Sequence, residues 1–135
     1  MIHRDEQLER KVCAAICQSN GIRAREIAFE FRLKRTRYVR IYADVLVITE
    51  DKVFSLEFKM KDVIDPAEVS QAAKYVPYLE IVFGPEYEVI PALILTAAKE
   101  TFDFVSIGGS DAILPVCSGD MLFNVFDDGN VPRLF

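Results

Sequence analysis

The sequence predicts an α/β protein in which helices pack on one mixed sheet. Three observations predict that class: an apolar stripe at helical spacing near the start, strand-like segments between residues 22 and 96, and a proline-led helical segment set among those strands. With 135 residues, 51% hydrophobic and 27% charged, the chain has material for one compact domain and too little for two.

From Asp5 to Asn20, Leu8, Val12, Ala15 and Ile16 recur on one helical face, and Asn20-Gly21 supplies a stop. Over residues 22–42, Ile27, Phe29, Phe31 and Leu33 alternate with Glu26, Glu30, Arg32 and Lys34. This is the period of a strand with one wet face, returning near Lys34–Arg37 into a second strand. Tyr38–Thr49 and Lys52–Lys59 are rich in Val, Ile, Tyr and Phe, and the polar Thr49–Lys52 between them makes a hairpin. Asp65-Pro66-Ala67-Glu68 reads as an N-cap, a proline in the first turn and a capping acid, opening a helix through Gln71, Tyr75 and Val76 that Pro77 kinks or ends. Tyr87–Thr96 contains an almost continuous apolar run, expected of a strand buried on both faces, with Pro91 against it. Beyond Thr101 the pattern is one of short strands and turns broken at Gly108-Gly109, Ser118-Gly119 and Asp128-Gly129. The apolar residues Met121–Phe126 there read as a further core strand, with an oligomer interface as the alternative.

Composition removes several chemistries. The single histidine, His3, stands near the beginning, which disfavours Ser-His-Asp triads, Cys-His pairs and histidine zinc sites. Three cysteines argue against a disulfide framework, and Cys13 and Cys17 read as core thiols on the first helix. The charges of residues 1–20 and the broken apolar runs fit neither a signal peptide nor a membrane span, so the expected location is cytoplasmic. The net charge is −5, yet residues 1–43 hold ten Lys or Arg against five Asp or Glu. That basic excess suits phosphate contacts if the side chains share a face, and otherwise protects an edge strand.

The informative chemistry lies in the hairpin. A reversal centred between Glu50 and Asp51 sets Asp44 opposite Glu57, Leu46 opposite Ser55 and Ile48 opposite Val53. Lys59 points to the same side as Glu57, while Val45, Val47, Phe54, Leu56 and Phe58 form an apolar surface on the other face. Two facing carboxylates repel, and something must compensate them: a divalent cation such as Mg²⁺, or Lys59 itself. Lys59 beside a metal would orient or deprotonate a water, or offset charge developing on a phosphate.

Asp44 at the end of one strand and Glu57-Phe58-Lys59 on the next resemble the PD-(D/E)XK nuclease superfamily. Gln71-Ala72-Ala73-Lys74-Tyr75 resembles the Gln-X-X-X-Tyr helix motif of its RecB-like and lambda-exonuclease-like branch, and the spacing of four sets Gln71 and Tyr75 on one helical face. The resemblance implies a restriction-endonuclease-like core over about residues 5–96, helix, three strands, helix and strand, with a strand-rich extension over about 101–135. It also implies that Asp44, Glu57 and the Phe58 carbonyl hold Mg²⁺ or Mn²⁺, that Lys59 is the catalytic lysine, and that Gln71 and Tyr75 contact the substrate. Arg35 and Arg37 are the basic residues expected along the substrate path, and Glu9 is the first-helix candidate for a further metal ligand. Position 43 is Ala where the superfamily's motif has Pro.

The expected function is therefore metal-dependent hydrolysis of nucleic-acid phosphodiesters, with DNA the expected substrate and a homo-oligomer or a larger DNA-processing assembly as partner. The competing expectation is a catalytically silent nuclease-like fold used for nucleic-acid binding or protein assembly. A carboxylate enzyme working without metal fits less well, because the chain has no Trp and shows no aromatic platform for a sugar.

Overall fold

A computed structural model describes residues 10–16, 24–35, 40–108 and 111–127, with side chains described outside 30–35 and 40–43. Residues 10–16 are helical (α1). They are followed by strands β1 (Glu26–Arg35), β2 (Arg40–Ile48) and β3 (Lys52–Lys59), then helices α2 (Pro66–Lys74) and α3 (Val76–Phe83). Strand β4 (Glu88–Leu95), β5 (Phe102–Ser106), β6 (Ile113–Ser118), a 3-10 turn at Gly119–Met121 and the short helix α4 (Phe123–Phe126) complete the order. The strands form one mixed sheet in the order β1-β2-β3-β4-β6-β5.

β1, β2 and β3 form an antiparallel meander, and β1 pairs with β2 through a register shift between Arg32 and Lys34. The β2–β3 reversal is closed by Thr49, whose N–H donates to the Lys52 carbonyl at 2.9 Å and whose Oγ1 accepts from the Lys52 N–H at 3.0 Å. β3 and β4 are parallel, so the chain must cross the sheet between them, and α2 and α3 make that crossing. β4 continues parallel to β6 only over Leu93–Leu95, and β5 closes the edge antiparallel to β6. Pro91 of β4 and Pro115 of β6 both fall outside that short paired stretch and lie opposite Ser55 of β3 and Phe104 of β5.

Strand alternation gives the sheet two apolar faces. Val45, Val47, Phe54, Leu56, Ile90, Ala92 and Ile94 meet Val12 and Ala15 of α1 and Leu122, Val125 and Phe126 of the C-terminal segment. On the opposite face Leu46 and Val53 pack with Tyr75 and Leu79, and Leu93 and Leu95 pack with Val69 and Ala72. The continuous apolar run of β4 is buried on both sides, as its composition predicts.

Two expectations need correction, while Pro77 ends its helix, one of the two outcomes expected of it: α2 stops at a cap on Tyr75, and α3 starts again with the proline in its first turn. A proline there has no N–H to return to the preceding turn, so the chain restarts around it. Residues 123–126 are helical, and Leu122, Val125 and Phe126 follow the 3/4 spacing of a helix face; all three are buried in this chain's own core, which leaves them unavailable to a partner. Cys13 is exposed because it lies off the Val12, Ala15, Ile16 stripe, whereas Cys117 is a core thiol that burial pushes up to about 12. Among the described residues no helix is long and apolar enough to cross a membrane.

Candidate active site

The paired residues of β2 and β3 run from Ile48↔Val53 to Val45↔Leu56, the register set by the central Glu50-Asp51 reversal. One step further come Asp44 and Glu57. Here the Phe58 N–H donates to the Asp44 carboxylate at 3.1 Å. Within one extended residue the N–H and C=O point to the same side of the strand, so the Phe58 carbonyl is directed toward β2 and Asp44 as well.

Glu57 is 5% exposed, on the sheet face covered by α2 and α3, and among the described residues its buried Oε1 has no hydrogen-bond partner. Burial is the largest influence on its carboxyl and pushes it up to about 8. The charge of Asp44 and a hydrogen bond to that side chain add to the shift, while Lys59 and the Asp44 backbone act against it. Near neutral pH the pair therefore holds a proton when no cation is there to replace it. Lys59 acts on Glu57 through its field, opposing the effect of burial.

The α2 helix supplies the fourth side of the site. Its start is set by Asp65, whose side chain accepts from the Ala67 N–H at 2.9 Å, and its inner face is anchored by Val69 and Ala72. Gln71 and Tyr75, one turn apart, are joined by a 3.4 Å hydrogen bond from the Gln71 amide to the Tyr75 hydroxyl. Tyr75 is buried, and its hydroxyl is raised above the ordinary tyrosine range by that burial and then by the charges of Glu57 and Asp44; the Gln71 hydrogen bond acts the other way. The helix motif and the carboxylate pair thus lie within electrostatic reach of each other.

Asp44, in the middle of β2, and Glu57, Phe58 and Lys59, at the end of β3, thus stand where the β2–β3 pairing stops, with Gln71 and Tyr75 of the covering helix within reach. Glu9 and Arg37 lie outside the described residues, as does the Arg35 side chain; Arg35 itself ends β1. Sequence reasoning missed Thr96, whose N–H and hydroxyl both donate to the Lys59 carbonyl, at 2.9 and 3.2 Å. A threonine closing a strand carries no such signal by itself. The pairing Lys59↔Leu95, which brings Thr96 there, exists only once β3 and β4 are aligned.

The donor set suits a hard cation. Among the described residues no cluster of three or more His, Cys, Asp or Glu side chains is present. Two carboxylates with one carbonyl, the remaining positions left to water and substrate, is nevertheless a set that Mg²⁺ accepts. The buried Oε1 of Glu57 is an acceptor with no donor among the described residues. Comparison of this chain with protein-family models, with curated proteins and with solved structures finds no match.

Proposed function

We propose that this chain is a metal-dependent nuclease with a PD-(D/E)XK site on a restriction-endonuclease-like core, hydrolysing phosphodiester bonds of nucleic acid, with DNA as the first substrate to test. The observation that carries the reading is the buried Glu57 carboxyl beside Asp44, with one oxygen that finds no donor among the described residues. The element order supports it: an antiparallel meander bearing the acids, then a crossing helix bearing Gln71 and Tyr75, then a parallel strand.

Asp44, Glu57 and the Phe58 carbonyl would hold Mg²⁺ or Mn²⁺, which supplies charge to stabilise the phosphorane-like transition state and to acidify a water. The residues of the chain do the rest. Asp44 is oriented by the Phe58 N–H, which fixes its carboxylate beside Glu57 before any ligand arrives. Lys59, on the same side of β3 as Glu57, is placed to orient the attacking water or to offset charge on the phosphate. Gln71 and Tyr75 form a hydrogen-bonding edge along which a sugar-phosphate strand is held against the carboxylates.

Cleavage of linear duplex, circular duplex and single-stranded DNA, with an RNA control, tests the reading in Mg²⁺, Mn²⁺ and chelator. The expected result is metal-dependent cleavage reduced at least about 100-fold in Glu57→Ala, the scale of losing a principal electrostatic group. A folded parent that cleaves none of these substrates overturns it and favours a silent binding module. Independently, Mg²⁺ or Mn²⁺ is expected to raise the melting temperature of the parent but not of Asp44→Ala, because only the state that binds the ion is stabilised.

A further inference from the structure

A cleft of about 800 Å³ opens at the carboxyl ends of β4 and β6, the end of the sheet where Lys59 also lies. Its walls bring together residues far apart in sequence: Lys11 of α1, Lys99 and Glu100 of the loop after β4, and Gly119 and Asp120 after β6. Thr96 belongs to the same lining, and both of its donors are spent on the Lys59 carbonyl. The cleft is therefore bonded directly to the strand that carries the candidate catalytic residues.

Two further observations mark the cleft as built. Glu100 has φ of 50°, a left-handed conformation uncommon for a non-glycine residue, and its N–H is held there by both carboxylate oxygens of Asp120, at 3.0 and 3.3 Å. That bond commits Asp120 to the loop, and the loop carries Lys99 into the lining. At Gly119 the missing side chain leaves room beside Lys11, whose Nζ would lie 3.7 Å from a Cβ built there. Open ends of parallel strands in α/β sheets are where ligands commonly bind, and ammonium groups from two separate elements suit an anionic oxygen group.

We propose that this cleft is a phosphate-binding subsite, in which Lys11 and Lys99 hold a phosphate of the nucleic-acid strand whose cleavage is proposed at Asp44 and Glu57; the source of the phosphate rests on that reading, while the site itself does not. Phosphate contacts of this kind position a strand without reading its sequence. The carboxylates lie on the face of the sheet under α2 and the lysine cleft lies beside α1 on the other, so a strand that reaches both crosses the carboxyl ends of β3, β4 and β6 from one face to the other. Glu100 and Asp120 reduce the positive potential of the cleft, so the contact is weak and positions the strand by proximity to the carboxylate site.

The test is binding of a fluorescein-labelled 12-nucleotide strand in chelator, where nothing is cut, across a salt series. Lys11→Ala and Lys99→Ala are each expected to weaken binding and to reduce the salt slope by about one, the signature of a lost phosphate contact. Glu100→Gln, which removes a negative charge and keeps both lysines, is expected to tighten it. Gly119→Val, which fills space and keeps every charge, is expected to weaken it. Adenosine monophosphate that binds as tightly as the strand, with the same lysine dependence, assigns the cleft to free nucleotides and supports the site. Lysine variants that fold and bind like the parent overturn the proposal, as does a parent that binds neither probe. Loss of lysine-dependent binding in a protein that still cleaves defeats the subsite alone, whereas lysine-dependent binding without cleavage in any metal defeats the nuclease reading alone.

Discussion

The two faces of β3 show how one strand serves two opposed demands. Phe54, Leu56 and Phe58 point to the face under α1 and α4 and join its apolar cluster, in which Phe54 meets the edge of Phe126 at 5.0 Å between ring centroids. The alternate residues Val53, Ser55, Glu57 and Lys59 point the other way and become more polar toward the end of the strand. That face holds the buried Ser55 Oγ and Glu57 Oε1, neither with a partner among the described residues. Close packing on the first face stabilises the strand enough to carry unsatisfied groups on the second, and those groups are the ones with chemistry to do.

Phe54→Ala attacks the stabilising face and has the largest expected effect, a loss of about 3–5 kcal/mol in denaturant unfolding, the range for an aromatic side chain removed from a packed core. A smaller loss would mean that the apolar face is not what holds β3 in register.

The polar face is probed by pH. Glu57 has a folded-state value near 8 against an ordinary 4.5, so the folded protein binds its proton more tightly than the unfolded chain does. The contribution of that proton to stability is fully present below about pH 4.5 and is lost as pH rises through about 8. In chelator, the parent is expected to lose stability between pH 5 and pH 9, and Glu57→Gln is expected to remove most of this decline. Superimposable pH curves for the two proteins would show that the carboxyl is better solvated than its burial implies.

The smallest expected effect comes from Ser55→Ala. Removing a buried hydroxyl that has no partner should stabilise the fold by up to about 1 kcal/mol, measured by the same denaturant titration. Destabilisation instead would reveal a bond that the hydroxyl makes in solution, and the contrast between the faces would narrow to Glu57.

Much of this was legible in particular residues. The β-rich segments Tyr42–Ile48 and Lys52–Lys59, around the polar turn Thr49–Lys52, suit a register centred between Glu50 and Asp51, and the observed pairs follow it. Asp65-Pro66 announced the start of α2 through local capping chemistry that needs no tertiary partner. The C-terminal segment was misread because Met121–Phe126 is a short apolar run, equally suited to strand or helix, and only packing against Phe54 and its neighbours decides between them. The cleft residues Lys11, Lys99 and Gly119 were invisible for a related reason: each is ordinary where it stands, and more than eighty residues separate the first from the second.

The sequence by itself determined the hairpin, its register, the shared face of Asp44 and Glu57, and the helical face shared by Gln71 and Tyr75, because these follow from periods of two and about 3.6 and from local turn and cap chemistry. Tertiary structure alone decided that Glu57 is buried, that Tyr75 docks within its field, and that Thr96 ties β4 to the Lys59 carbonyl. Those outcomes depend on the parallel crossing of β3 to β4 and on which side of the sheet α2 covers. Desolvation and long-range pairing arise between segments that the linear chain keeps apart, and no local pattern encodes their strength.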